Sequence, residues 1–197
     1  MIKAVLWDLG EVLLWAQQDS ICTRLETEYN LPAGSLSVFN FNYYNLAFRG
    51  SVKDVTEYWE REQPDLGVFK LEQAVEMRRL ISASIEIDDQ VLPLIKATKL
   101  RCKTAVVSNW EFGLELVLAR LGLTSYFDAV VSSHDVKSVK PDQEIFLKAV
   151  RTLKIKPHEA LFIDDKPENV EGARKLGVRG ILYTGVEDLK KNLGELL

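Results

Sequence analysis

Five short apolar runs, each stopped by polar residues, constrain this chain more than any other feature. The first is Ile2-Lys3-Ala4-Val5-Leu6-Trp7, closed by Asp8 and Gly10. Residues 104–107 run into Ser108-Asn109, and residues 129–131 into Ser132-Ser133. Residues 160–163 run into Asp164-Asp165, and residues 180–183 into Thr184-Gly185. Such runs, apolar without alternation, predict strands buried on both faces. Helix-period stretches at 111–121, 143–153, 168–176 and 186–193 follow the four later runs. Strands alternating with helices predict a parallel sheet between two helical layers. The expected fold class is therefore α/β, a doubly wound, Rossmann-like parallel sheet.

The stretch from Gln17 to Glu86 has a different character. Helical periodicity appears at Ile21 to Tyr29, Val52 to Glu62 and Leu71 to Ile81, with turn residues at 30–34 and 63–67 and no strand pattern. The expected organisation is an α/β core of residues 1–16 and 87–197, with a helical segment, 17–86, inserted after the first strand. A chain of 197 residues suits one core with a modest insertion. Folding at this size buries roughly 70% of the unfolded surface, enough for a self-sufficient core.

Composition narrows the partners. A hydrophobic share of 47% with 27% charged residues excludes disorder and coiled coil. The net charge of -4 lacks the basic excess of a nucleic-acid binder, so no such partner is expected. No apolar stretch approaches the ~20 residues needed to span a bilayer, and no membrane partner is expected. Asp8 and Glu11 interrupt the segment where a signal peptide needs unbroken apolar residues. Cys22 and Cys102 lie too far apart to suggest a secreted disulfide framework. A cytoplasmic protein with reduced thiols, monomer or homodimer, is the expectation.

Ligands of open α/β sheets bind beyond the carboxyl ends of the strands, where Asp8, Ser108-Asn109 and Asp164-Asp165 fall. There is no G-x-G-x-x-G, Walker loop, H-E-x-x-H or G-x-S-x-G. Two histidines and two scattered cysteines make no ordinary zinc site without carboxylates, and His134 and His158 read as surface or loop residues. Three aspartates gathered at one sheet edge repel unless a cation neutralises them, and hard oxygen ligands suit Mg²⁺. The plainer alternative is that Asp164 and Asp165 cap the helix opened by Pro167 and Glu168. Ser108-Asn109 offers a hydroxyl, an amide and backbone N–H groups, a cradle for phosphoryl oxygens or another helix cap. Lys140-Pro141 is read as opening a helix, where the macrodipole disfavours a cation; this lysine needs an anionic partner.

Taken in order, Trp7-Asp8-Leu9-Gly10, Val107-Ser108-Asn109, Val139-Lys140-Pro141 and Phe162-Ile163-Asp164-Asp165 resemble the motifs of the haloacid dehalogenase superfamily of aspartate-nucleophile phosphohydrolases. The helical insertion, including Phe48-Arg49-Gly50-Ser51-Val52, is similar to that family's small helical cap. The resemblance implies a Mg²⁺-dependent phosphatase acting on a small phosphorylated metabolite. Asp8 would be the nucleophile, forming an aspartyl-phosphate. Ser108 and the backbone of Asn109 would hold the phosphoryl oxygens, with Lys140 neutralising charge on the phosphoryl group and on Asp8. Asp165 would bind Mg²⁺ directly beside Asp8, with Asp164 a ligand or a partner behind it and the backbone carbonyl of Gly10 completing the set.

One position departs from the pattern. Most phosphatases of this superfamily carry an acid two residues after the nucleophile, where this chain has Gly10; an Asp-x-Gly subgroup resembling sugar-phosphate phosphatases is the nearest match. Glu11 is a possible substitute acid. The dehalogenase branch, which needs neither that acid nor a metal, is the competing enzyme reading, and a non-catalytic binding protein keeping the fold is the third. Of the aromatic residues, Phe39, Phe41, Tyr43, Tyr44 and Phe48 are expected mostly to build the cap's own core. Trp7 is expected in the core, Trp15 packing at the cap hinge and Trp110 near substrate. Arg49 meets either a second anionic group or solvent.

Overall fold

The computed structural model describes residues 1–196; Leu197, the last residue of the expected core, lies outside them. Among the described residues seven strands form: β1 (Ala4–Trp7), β2 (Leu14–Trp15), β3 (Glu86–Ile87), β4 (Lys103–Ser108), β5 (Ala129–Ser132), β6 (Ala160–Asp164) and β7 (Arg179–Leu182). The helices are α1 (Gln18–Glu28), α2 (Ser35–Ala47), α3 (Val55–Glu62), α4 (Leu71–Ala83) and α5 (Leu92–Lys99), then α6 (Leu114–Arg120), α7 (Ser133–Val136), α8 (Gln143–Leu153), α9 (Pro167–Lys175) and α10 (Val186–Leu196). All five apolar runs are strands of one parallel sheet in the order β5-β4-β1-β6-β7. The α/β class expected from the sequence is the class observed.

Strand alternation builds two apolar layers. Val5, Trp7, Val106, Leu161 and Ile163 pack on one side with Ile95, Leu114, Leu118, Leu189 and Leu193. Ala4, Leu6, Ala105, Val107 and Phe162 pack on the other, against α8 and α9. Every residue of β1 is fully buried, which is why its run carries no polar alternation. Trp7 stands opposite Val106 on β4 and Ile163 on β6. That register brings Asp8, Ser108 and Asp164 to the same edge of the sheet.

Helices α1–α4 lie between β2 and β3 and share their own apolar cluster, which includes Cys22, Leu36, Phe39, Tyr43, Met77 and Ile81. Three helices, α2, α5 and the single turn α7, and a ribbon carry no clear sequence signal. α2 reads SLSVFNFNYYNLA, poor in strong helix formers and with no clean polar face. Its first N–H groups are satisfied from a distance: buried Glu26 of α1 accepts from Gly34 N at 2.9 Å and Leu36 N at 2.8 Å. α5 is short and holds Pro93 near its start. β2 and β3 pair antiparallel over two residues each, too few for any alternation to register. No helix among the described residues is long and apolar enough to cross a membrane.

Gly172 sits inside α9, where glycine costs helix stability. A Cβ there would meet the Pro141 carbonyl oxygen at 2.5 Å and the Pro141 Cβ at 2.7 Å. The bare backbone thus lets the segment carrying Lys140 and Pro141 lie directly on α9. Gly172→Ala is expected to lower the melting temperature, although alanine is favoured in a helix by about 1 kcal/mol. A thermal melt at or above the wild-type value would show that the segment gives way without cost.

Candidate active site

Asp8 directly follows β1, Ser108 ends β4 and Asp164 ends β6, so three strand ends supply side chains to one point. Lys140 arrives from the loop between α7 and α8. Its ammonium lies 2.7 Å from Asp8 Oδ1 and 2.6 Å from Asp164 Oδ2, with only 1% of its side chain exposed. Ser108 Oγ donates to the same Asp8 Oδ1 at 2.9 Å. Asp8 Oδ2 has no side-chain partner among the described residues.

Lys140 precedes α8, which begins at Gln143, rather than opening it. The expectation of a cation held against a helix dipole is therefore corrected: the anions that hold it are two buried carboxylates. Asn109 fixes its backbone. The Lys140 N–H donates to Asn109 Oδ1 at 2.8 Å, and Asn109 Nδ2 donates to the Lys140 carbonyl at 3.2 Å. The side-chain amide of Asn109 is thus spent on positioning Lys140, leaving the backbone of that residue for any ligand.

The adjacent aspartates divide sharply. Asp164 is fully buried and both its oxygens are engaged, by Lys140, by Asn169 Nδ2 at 3.0 and 3.2 Å, and by Lys166 N at 2.8 Å. Asp165 Oδ1 is buried with no hydrogen-bond partner. One oxygen from each of Asp8, Asp164 and Asp165 lies within 4.8 Å of the others. A buried anionic oxygen without a donor is costly, and an oxygen-liganded cation relieves that cost. The three-aspartate set therefore fits a hard divalent ion; Asp165 Oδ1 and Asp8 Oδ2 are its oxygens without a side-chain partner among the described residues, while both oxygens of Asp164 are hydrogen-bonded.

Burial raises the Asp8 carboxyl above the ordinary carboxylate range; Lys140 opposes the rise and the charge of Asp164 adds to it. Burial also raises Asp165, reinforced by the charge of Asp8. A bound cation would reverse both effects.

A cavity of about 590 Å³ opens over this cluster. Its sheet side includes Asp8, Gly10, Ser108, Lys140 and Asp165; its helical side includes Gln18, Tyr44, Phe48 and Arg78. Trp110 lines it, and so does Trp15, which is 44% exposed rather than packed. Trp7, Phe39 and Tyr43 are buried as expected, whereas Phe41 is exposed. Arg49 is exposed and lies outside the lining, as do His134 and His158. A Cβ on Gly10 would meet nothing within 4 Å, so the position of the missing acid is open space. Glu11 lines the cavity in a left-handed conformation, φ 59°, its carboxyl raised by burial and by Asp165.

Arg78 and Glu111 escaped the sequence reading. Ala74, Met77 and Ile81 mark the buried stripe of α4, and Arg78, four residues after Ala74, falls on it. A cation in an apolar stripe is a legible signal. Glu111 offers none beyond its place just after Ser108-Asn109-Trp110.

Comparison with known proteins identifies the family and the fold. Residues 2–177 match the family model described as haloacid dehalogenase-like hydrolase. The fructose-1-phosphate phosphatase YqaB of Escherichia coli is 31% identical over 128 residues, 62% of this chain and 66% of that protein. Known relatives at 30–36% identity share only part of their length with this chain, from 35% to 66%. A HAD-family enzyme from Bacteroides thetaiotaomicron, solved with magnesium and inorganic phosphate, superposes with a TM-score of 0.72 at 20% identity, covering 92% of this chain and 94% of that one. A 2-haloacid dehalogenase from Pseudomonas syringae pv. Tomato also superposes at 0.72, with 19% identity and full coverage of both chains. The fold is thus common to both chemistries and does not choose between them.

The lysine bridge makes a testable demand. Lys140→Met leaves Asp8 and Asp164 buried without their cation, a loss of about 3–5 kcal/mol. The Asp8 carboxyl, already raised, rises further. A raised carboxyl contributes stability that is fully present below its unfolded pKa, ~3.9, and is lost as pH rises through the folded value. In metal-free buffer the melting-temperature gap between wild type and variant should therefore widen from pH 5 to pH 7.5. A gap independent of pH would contradict the assignment.

Proposed function

Because the chain belongs to the haloacid dehalogenase-like hydrolase family, we propose that it is a Mg²⁺-dependent phosphatase that transfers the phosphoryl group of a small metabolite to Asp8. The observation that carries this reading is the buried, unpartnered Asp165 Oδ1 beside Asp8. A dehalogenase working without metal has no use for it.

The residues divide the work as follows. Asp8, Asp165 and the backbone carbonyl of Gly10 would hold the Mg²⁺, which when bound supplies positive charge beside the phosphoryl oxygens. Both side-chain contacts of Asp8 fall on Oδ1, which leaves Oδ2 without a side-chain partner among the described residues, and the Asp8 carboxylate attacks phosphorus. The bond from phosphorus to the leaving oxygen breaks as the aspartyl–phosphorus bond forms. Ser108 and the backbone of Asn109 hold the phosphoryl oxygens, and the Lys140 ammonium offsets the charge gathered there. Water then attacks phosphorus, releases phosphate and regenerates the Asp8 carboxylate. Asp164 and Asn109 act by holding Lys140. Residues 17–86 are the cap, and the cavity beneath them receives the leaving group.

Gly10 shapes the substrate preference. No carboxyl at that position protonates the departing oxygen or activates the water, assistance worth ~10²–10⁴-fold. Substrates with acidic leaving groups, such as aryl, acyl or anomeric sugar phosphates, are favoured over simple alkyl phosphates. Glu11, which lines the cavity, is the residue placed to supply part of that help.

Turnover of an aryl phosphate should require Mg²⁺, stop with chelator and fall by at least about 10³-fold in Asp8→Asn, with the far-UV spectrum unchanged. Metal-independent turnover of a 2-haloacid, with none of phosphate esters, would establish the dehalogenase reading. Tight phosphate-ester binding without turnover of either class would establish a binding protein. Across esters of graded leaving-group pKa, kcat/KM should fall steeply in wild type and flatten in Gly10→Asp, for whose first side-chain atom there is room. A flat wild-type series would mean that another acid is in place.

A further inference from the structure

The helical side of the cavity carries a buried cation that the reaction does not use. Arg78 Nη1 donates to Tyr44 Oη at 2.6 Å, and Nη2 donates to Glu111 Oε1. Tyr43 Oη donates to Glu111 Oε2, and Tyr44 Oη donates to Gln18 Oε1 at 3.1 Å. The guanidinium lies 4.7 Å from the Tyr44 ring centre and 5.1 Å from that of Tyr43. Only 10% of the Arg78 side chain is exposed, against 23% for Glu111. The positive charge is therefore matched by a carboxylate and packed against two phenol rings, while the matching carboxylate still meets the cavity.

Charge along the lining points the same way. Five carboxylates and three cations line the cavity, and Asp164 lies directly behind Lys140; a divalent ion at the aspartate cluster leaves no excess of positive charge. Lys140 is paired with Asp8 and Asp164, and Arg78 with Glu111. The third cation, Lys166, is solvent-exposed. One phosphoryl group has its place beside the metal ligands and Lys140. Among the described residues that line the helical side, Arg78 is the one cation and it is matched, so a second anion would find none free in that lining. What that side offers is a mixture of acceptors and donors: carboxylate, amide and phenol. Hydroxyl groups, which both donate and accept, satisfy such a mixture. A volume of about 590 Å³ leaves room for them beyond the phosphoryl group.

Resting on the phosphatase reading, we propose that Gln18, Tyr44, Arg78 and Glu111 form a subsite for an uncharged, hydroxyl-bearing leaving group. Glu111, by neutralising Arg78, is the residue that excludes substrates bearing a second anion.

The test compares a hexose monophosphate with a hexose bisphosphate, by calorimetric Kd at saturating Mg²⁺ in an Asp8→Asn background and by kcat/KM in the active enzyme. With Glu111 intact, the monophosphate should be preferred by roughly tenfold or more. Glu111→Gln frees the arginine charge: the bisphosphate should bind more tightly, the monophosphate more weakly, and the preference should narrow by about tenfold. Arg78→Gln, which leaves the Glu111 charge unmatched, should widen the preference instead and serves if Glu111→Gln fails to fold. Opposite shifts in the two variants cannot arise from general damage. Equal losses for both ligands, or an unchanged ratio, would overturn the subsite. Absence of aryl phosphate turnover in wild type would remove the phosphatase reading alone, because the Kd ratio does not depend on turnover.

Discussion

The structure turns on one ammonium group shared by two buried carboxylates. Lys140 stands between Asp8 and Asp164 at 2.7 and 2.6 Å, and neither its own side chain nor that of Asp164 meets solvent appreciably. Removing Lys140 leaves two buried carboxylates without their cation, which is far more costly than the bridge itself is stabilising. The surrounding architecture serves that bridge. The register of β1 with β4 and β6 brings Asp8, Ser108 and Asp164 level, Asn109 grips the Lys140 backbone from both sides, and Gly172 lets the Pro141 segment settle on α9.

Three acidic residues against one lysine leave a deficit of positive charge, concentrated at Asp165. Asp164 cannot share its oxygens further, since Lys140, Asn169 and the Lys166 N–H already occupy them. Asp165 has a buried oxygen with nothing to meet it. The asymmetry of this adjacent pair separates a residue that holds the lysine from one suited to a metal ion, and it is what supports the proposed phosphatase over a metal-free dehalogenase on a fold that accommodates both.

Most of the core and its edge were legible in the sequence because burial leaves a strong imprint on short strands. A run such as Ala160-Leu161-Phe162-Ile163 has no polar position to spare, and its abrupt change to Asp164-Asp165 marks the sheet edge. Helix α2 was not legible, since its N-terminus is satisfied by Glu26 from another helix and its aromatic residues face inward and outward alike. The side-chain role of Asn109 was equally hidden, because a clamp on a residue 31 positions away leaves no local pattern. Arg78 could have been found as a cation on an apolar stripe, but its partner Glu111 is set only by how the helical layer meets the core.

The most direct test of the account is to look for the phosphoryl group on Asp8 itself. Wild-type protein mixed with Mg²⁺ and an aryl phosphate, quenched in acid within the first turnover and digested, should yield one phosphorylated peptide by mass spectrometry. That peptide should contain Asp8, and the label should disappear on a chase before the quench and be absent from Asp8→Asn. Turnover without any phosphorylated peptide, or a phosphoryl group on another residue, would contradict the assignment of Asp8 as nucleophile.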